Sequence, residues 1–291
     1  MSYRIYTDTG VKVTEDYVEV SDGVALKVID FLPGGDAPEK PAVVFVAGWI
    51  SLISGWQGVL KQLTPRYRTI YIETREKVSA RLPEDSVEFS VARMSLDIHE
   101  VLKQSVSLKR PFYFVGSSLG ATIVLDYLSQ SLRQPCQAIL IGPNAEFFFP
   151  AWSLPLIRLL PAFLYTAIKP GLKWYLRNIR LDKHRESEQV KKYEGTLDAA
   201  EPKRLKANAW ALRNYKLWDK LPDVKAPVLV IGAKSDILHG MDVLKRMVAL
   251  MPCAGLEIME SNRETHSEKA GELIVNQIAM REYSSSEFKA G

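Results

Sequence analysis

Six short, almost uninterrupted apolar runs constrain this chain more than anything else in it. They are AVVFVAG (42–48), TIYIE (69–73), FYFVG (112–116), AILIG (138–142), PVLVIG (227–232) and LEIME (256–260). Runs this short, with little polar alternation, suit strands covered on both faces, the environment of a parallel sheet with helices on either side. Helical sequence lies between them. SLDIHEVLKQSV (95–106) sets Leu96, Ile98, Val101 and Leu102 near helical spacing, and LGATIVLDYLSQSL (119–132) does so with Ile123, Val124, Tyr127 and Leu128. Upstream, residues 15–32 alternate apolar and polar around Ser21-Asp22-Gly23, the pattern of an antiparallel hairpin. PGGDAPEKP (33–41) then reads as a loop. Together these predict an α/β chain with a mostly parallel, doubly wound sheet and an antiparallel N-terminal edge.

One segment breaks the alternation. More than eighty residues separate the runs at 138–142 and 227–232, with no convincing strand among them. A single crossover helix needs far fewer, so residues 147–221 are expected to form an inserted helical cap on a core made of 1–146 and 222–291. Within 147–221 there are 15 Lys+Arg and 7 Asp+Glu, a surplus of +8. The whole chain carries only +4, so the remainder carries −4. Four of the six tryptophans (Trp152, Trp174, Trp210 and Trp218) fall in the same segment. A basic, aromatic cap suits contact with an anionic membrane surface, and a solvated helical face accounts for the same charges.

Composition narrows the function classes. At 47% hydrophobic and 25% charged, the 291 residues are of ordinary globular type and long enough to bury a sizeable core. The modest net charge, with no basic tail and no zinc-spaced cysteines, gives no reason to expect a nucleic-acid partner. The two cysteines, Cys136 and Cys253, are distant and read as thiols rather than a disulfide. MSYRIYTDTG has no apolar stretch of signal-peptide length, and no apolar run is long enough to span a bilayer, so a cytoplasmic location is expected. No metal-ligand spacing is visible, and no cofactor is expected.

The chemistry concentrates in YFVGSSLGAT (113–122), where an apolar run ends in Gly116-Ser117-Ser118-Leu119-Gly120. This fits G-x-S-x-G between a strand and a helix, a turn that holds its central residue strained at the carboxyl end of the sheet. Flanking glycines let the strand and helix backbones approach without a Cβ between them. The pattern selects Ser118 as nucleophile and leaves Ser117 in a position whose side chain points elsewhere. The helix that starts after Ser118 aims its positive end at a developing anion.

With this motif in its strand–helix setting, the chain resembles the α/β-hydrolase superfamily from the first hairpin to the last helix, with the cap in the usual insertion slot. The resemblance implies an α/β-hydrolase fold and a triad in the order serine, acid, histidine. The implied acid is Asp236, after the strand in VLVIGAKSD; helix capping is its plainer alternative, and Glu146, after the run at 138–142, is a reserve. The implied histidine lies on the loop after the last strand, which points to His266. His99 falls in a helix, His184 in the cap, and His239 follows Asp236 too closely to bridge from acid to serine. The oxyanion hole is expected from the backbone N–H groups of Leu119 and Trp49. Here Ala47-Gly48-Trp49 stands where relatives often carry His-Gly-X, and ETREKVSA (73–80) shares only its Arg75 with the aspartate–arginine–glycine sequence of many relatives.

These roles imply hydrolysis of an ester through an acyl-enzyme. The apolar start of the cap, with Phe147, Phe148 and Trp152 as candidate substrate-binding residues, suits an apolar acyl group, and packing of the cap onto the core is the competing account. The expected partner is thus a small apolar ester, with thioester as a variant. Transfer of the acyl group to an alcohol or amine uses the same machinery, and a non-catalytic binding protein on the same fold is the remaining class.

Overall fold

The computed structural model describes residues 3–35, 40–84, 87–106, 110–130, 132–149, 155, 159, 161, 164–175, 194–236 and 239–290. Eight strands form one sheet in the order β1-β2-β4-β3-β5-β6-β7-β8. They are β1 (Lys12–Glu19), β2 (Ala25–Leu32), β3 (Ala42–Val46), β4 (Thr69–Ile72), β5 (Phe112–Ser117), β6 (Gln137–Ile141), β7 (Val228–Ala233) and β8 (Ala254–Met259). From β4 to β8 all neighbours are parallel, whereas β1–β2 and β2–β4 are antiparallel. This is the mostly parallel sheet with an antiparallel N-terminal edge that the runs predict. All six expected runs are strands, each within a few residues of its expected ends.

Their composition explains the layering. The strands β3, β4 and β5 are buried along their whole length, so both faces must be covered. On one face the core joins α2 (Val91–Ser105) and α3 (Leu119–Leu128) to the sheet through Met94, Ile98, Val101, Ile123 and Tyr127. On the other, α1 (Gln57–Leu63), the 3-10 turn Ile53–Trp56 before it and the C-terminal helix Glu268–Ala290 bring Leu60, Trp56, Ile274 and Ile278 into one cluster with Phe45 and Tyr71. The α3 helix is buried at every position, as its almost wholly apolar sequence requires.

Arg75, the residue of the 73–80 stretch that matched the resemblance, is fully buried and holds two carboxylates. Its Nε and Nη2 donate to Asp97 at 2.6 and 2.5 Å, and Nη1 donates to Asp22 at 2.7 Å. A bidentate guanidinium fork thus joins the β4 exit, the α2 helix and the turn of the first hairpin.

The expected insertion, 147–221, is described only in part. Among its described residues are two α-helices, α4 (Tyr165–Tyr175) and α5 (Pro202–Leu212). The latter starts at a Glu201 cap that accepts from the N–H groups of Lys203 and Arg204 at 3.0 and 2.8 Å. Arg204 then reaches Ala80 O at 2.9 Å, and Asn208 reaches Phe89 O at 3.0 Å, so α5 is pinned above the carboxyl ends of the strands. Two further helices, α6 (Met241–Leu250) and the C-terminal α7 (Glu268–Ala290), flank β8 in sequence. Among the described residues no helix is long and apolar enough to cross a membrane. The cysteines are free thiols.

Candidate active site

Three adjacent strands deliver the chemistry to one place. Because β5, β6 and β7 are neighbours, their carboxyl ends lie side by side. Ser118 leaves β5 with its N–H bonded to Ile141 O of β6 at 2.8 Å, and Gly142 leaves β6 with its N–H bonded to Ile231 O of β7 at 2.9 Å. Asp236 follows β7 on a turn closed by its N–H to Ala233 O at 3.1 Å.

Ser118 has φ 48° and ψ −118°, left-handed backbone that a side chain disfavours. It stands at the N-cap of α3 yet its hydroxyl caps nothing. The strain turns Oγ away from the helix and out of the turn. Leu119 is the first residue of that helix, where an N–H has no intrahelical acceptor. Opposite it, the loop after β3 presses on the serine: a Cβ built on Gly48 would lie 3.2 Å from Ser118 Cβ. That loop makes a tight turn, with Ser51 N–H donating to Gly48 O at 3.0 Å and Ile50 at φ 48°. Ile50 and Ser118 are the two described non-glycine residues with positive φ, and they sit on either side of one site. The Trp49 side chain packs half-buried with its ring edge-on to Phe149 at 6.5 Å.

The histidine on the serine is His239. Its Nε2 lies 3.1 Å from Ser118 Oγ and its Nδ1 lies 2.8 Å from Asp236 Oδ2. Both side chains are largely buried, at 12% and 8% exposure. Asp236 Oδ1 also accepts the backbone N–H of His239 at 3.2 Å, so one carboxylate orients both the backbone and the ring. Asp236 does not cap the helix that follows: Met241–Leu250 starts from Gly240 with no side-chain cap, and the bond to His239 N–H closes a turn ahead of it. A carboxylate at Nδ1 requires a proton there, which leaves Nε2 as the acceptor for the serine hydroxyl.

His266, the histidine expected in this place, lies elsewhere. It ends the one-turn 3-10 helix Glu264–His266, and its ring lies on Trp56 with centroids 4.2 Å apart. Its Nδ1 meets Asn262 O and Thr265 Oγ1, both at 3.0 Å. Closeness in sequence to Asp236 does not keep His239 from the serine, because the sheet topology sets the distance to be bridged. Strands lie about 4.8 Å apart, so an acid on β7 is separated from a serine on β5 by the exit of β6. A histidine three residues beyond the acid lies across that exit, provided the exit has no side chain. Gly142 supplies the opening. It has φ +52°, and a Cβ there would lie 2.9 Å from His239 Cγ and 3.0 Å from Nδ1. The Asp-X-X-His spacing and the glycine ending the fourth run were the sequence signals for this arrangement.

Gly142→Ala is expected to lower kcat/KM by about 10- to 100-fold, because displacement of the ring by even 1 Å misaligns the proton acceptor. The cost in stability should be about 2 kcal/mol, the penalty of alanine in left-handed backbone together with displacement of the His239 ring. Ester turnover set against the thermal midpoint checks both halves of that expectation.

The other expected residues divide. Glu146 is exposed and accepts from Trp218 Nε1 at 3.3 Å, away from the serine's polar contacts. Phe147 is half-buried beside Tyr215, whereas Phe148 is 86% exposed and faces solvent. Trp152 lies outside the described residues. Asn144, which sequence reasoning did not single out, has its Nδ2 3.4 Å from Ser118 Oγ. Among the described residues no group of three or more His, Cys, Asp and Glu side chains is placed to hold a metal ion.

Comparison with known proteins agrees with this architecture. A family model described as the alpha/beta hydrolase family matches residues 43–271. Among solved structures, a hydrolase from Pseudomonas aeruginosa superposes with a TM-score of 0.75 at 19% identity, over 94% of this chain and 99% of that one. An esterase from Exiguobacterium antarcticum gives 0.72 at 20% identity over 91% and 100%, and an enol-lactonase from Burkholderia xenovorans 0.72 at 15% over 90% and 98%. Among curated protein sequences none matches the chain. At these identities the structures speak for the fold alone, while the family model covers well over half of the sequence: the chain belongs to the alpha/beta hydrolase family.

Proposed function

We propose that this protein is a serine hydrolase that cleaves the carboxylic ester or thioester of an apolar acyl group through an acyl-enzyme on Ser118. The observation that carries the reading is the hydrogen-bonded chain Ser118–His239–Asp236 mounted on a strained elbow. His239 Nε2 takes the hydroxyl proton as Ser118 Oγ attacks the acyl carbon, and Asp236 stabilises the imidazolium that forms. The backbone N–H groups of Leu119 and Trp49 receive the carbonyl oxygen as it becomes an anion, helped by the positive end of α3. His239 then returns the proton to the leaving oxygen or sulfur. Water repeats the cycle, giving up its proton to His239, and the acid is released.

The apolar half of the proposal rests on the aromatic residues above the site. Phe149 meets the Trp49 ring and Phe147 packs beside Tyr215, so an acyl chain entering over Trp49 meets carbon on this side. Several of the similar structures are esterases and one is an enol-lactonase, activities of those proteins that fit the same chemistry.

Incubation with a fluorophosphonate probe tests the nucleophile. The parent chain should be labelled at Ser118 with one equivalent, and Ser118→Ala should take up none. Retained labelling of the variant would move the nucleophile, with Ser117 the first candidate. A series of p-nitrophenyl esters tests the substrate half: kcat/KM should rise from acetate to longer acyl chains, and a flat or falling series would sink it.

A further inference from the structure

Asn144 stands beside the reacting oxygen with no task in the scheme above. Among the described residues, Ser118 Oγ has two polar side-chain neighbours, His239 Nε2 at 3.1 Å and Asn144 Nδ2 at 3.4 Å. The Nδ1 proton of His239 is committed to Asp236, so Nε2 accepts and the single hydroxyl proton of Ser118 goes to it. A group facing Oγ from another side must then donate, which selects the amide nitrogen of Asn144 over its carbonyl oxygen.

The amide is held rather than left on a free loop. Thr122, fully buried in the first turn of α3, accepts the Asn144 N–H on Oγ1 at 3.0 Å. The same Oγ1 lies 2.9 Å from Asn144 O and 3.1 Å from Ser118 O, and its one hydrogen is shared between the two carbonyls. One hydroxyl therefore ties the loop that bears Asn144 to the elbow that bears the nucleophile. Only two residues earlier, Gly142 seats the imidazole. The exit of β6 thus touches both partners of the proton transfer.

Resting on the serine-hydrolase reading, we propose that Asn144 is a further catalytic residue, whose Nδ2 donates to Ser118 Oγ. The bond keeps the hydroxyl in the rotamer that faces His239. It also stabilises the negative charge that grows on Oγ while its proton passes to Nε2 and the Oγ–acyl bond forms. When that bond is complete, Oγ is an ester oxygen and a poor acceptor, so the interaction is strongest on the way to the transition state and weaker after it.

The test reads the nucleophile directly, as the rate of fluorophosphonate labelling of the full chain across pH. Loss of one neutral hydrogen bond predicts that Asn144→Ala lowers the plateau rate roughly five- to tenfold. The midpoint of the pH profile should not move in Asn144→Ala, because both side chains are uncharged. Asn144→Asp keeps the side-chain volume but has no donor when ionised, and should fall at least as far, so the result does not depend on packing. Thr122→Val removes the tie and should act in the same direction by a smaller factor. A plateau in both Asn144 variants equal to that of the parent would overturn the inference and leave the hydrolase reading standing. A shifted midpoint at an unchanged plateau would place the amide on His239 instead, and would also overturn it. Absence of labelling in the parent would sink the hydrolase reading and this inference together.

Discussion

His239→Ala is expected to lower kcat/KM by about 10⁴- to 10⁶-fold, to nearly the same floor as Ser118→Ala, because triad members act as a unit. The double variant should be no slower than either single one. The reason is geometric: with Nε2 gone from its 3.1 Å contact, nothing described at the serine accepts the hydroxyl proton. His266→Ala makes the decisive comparison. Its ring rests on the buried Trp56 indole, so its removal should cost about 1 kcal/mol of stability, as for a lost aromatic contact. Turnover should stay within the same order of magnitude. The assay is steady-state hydrolysis of one p-nitrophenyl ester by all four variants, with a thermal melt of each. The reverse ranking, an active His239→Ala and an inert His266→Ala, would hand the proton to His266 and require the loop after β8 to move onto the serine.

The second large effect concerns folding rather than chemistry. In Gly120→Ala the new Cβ would lie 2.1 Å from Val46 O and 2.6 Å from Ala47 O, where no real methyl group fits. Both obstacles are backbone, one in the last residue of β3 at the centre of the sheet and one in the residue that follows it, and neither can rotate away. Relief requires the start of α3 to lift from β3, which opens the elbow and the buried face of the helix together. A loss of at least about 4 kcal/mol is expected, a large fraction of the total stability of a domain this size. Urea denaturation, or failure to accumulate soluble protein, reports it. Gly255→Ala is the control: a Cβ there meets only Leu229 Cδ1 at 3.9 Å, so its midpoint should match that of the parent. If Gly120→Ala proved equally silent, the close packing of helix on strand would not be the reason for glycine at the end of the motif.

Much of the architecture was legible in the linear chain, and for a definite reason. Strands buried on both faces must be apolar at nearly every position, so AVVFV, FYFVG and AILIG advertise their place without long-range information. The hairpin is equally local, since its turn and its alternation lie within one stretch and the observed register pairs Glu19 with Ala25 around it. The elbow is legible because it is a contiguous motif whose strain and glycines are set by neighbours in sequence. Arg75 was found as a matching residue, but its work of joining Asp22 and Asp97 appears only once three separated segments meet.

The sequence by itself determined the sheet, the elbow that holds Ser118 and the turn that carries Asp236, because each depends on short-range pattern and on strand order. Only the tertiary structure decided which histidine meets the serine. Chain order and family habit favoured His266, whereas the outcome turns on distances between the ends of β5, β6 and β7. The imidazole of His239 crosses the exit of β6 because Gly142 leaves that space empty, and Asp236 holds the ring on both its backbone and its Nδ1 side. The place of Asn144 was likewise invisible, since a hydrogen bond between residues 118 and 144 exists only when two strand ends are brought together and clasped by Thr122.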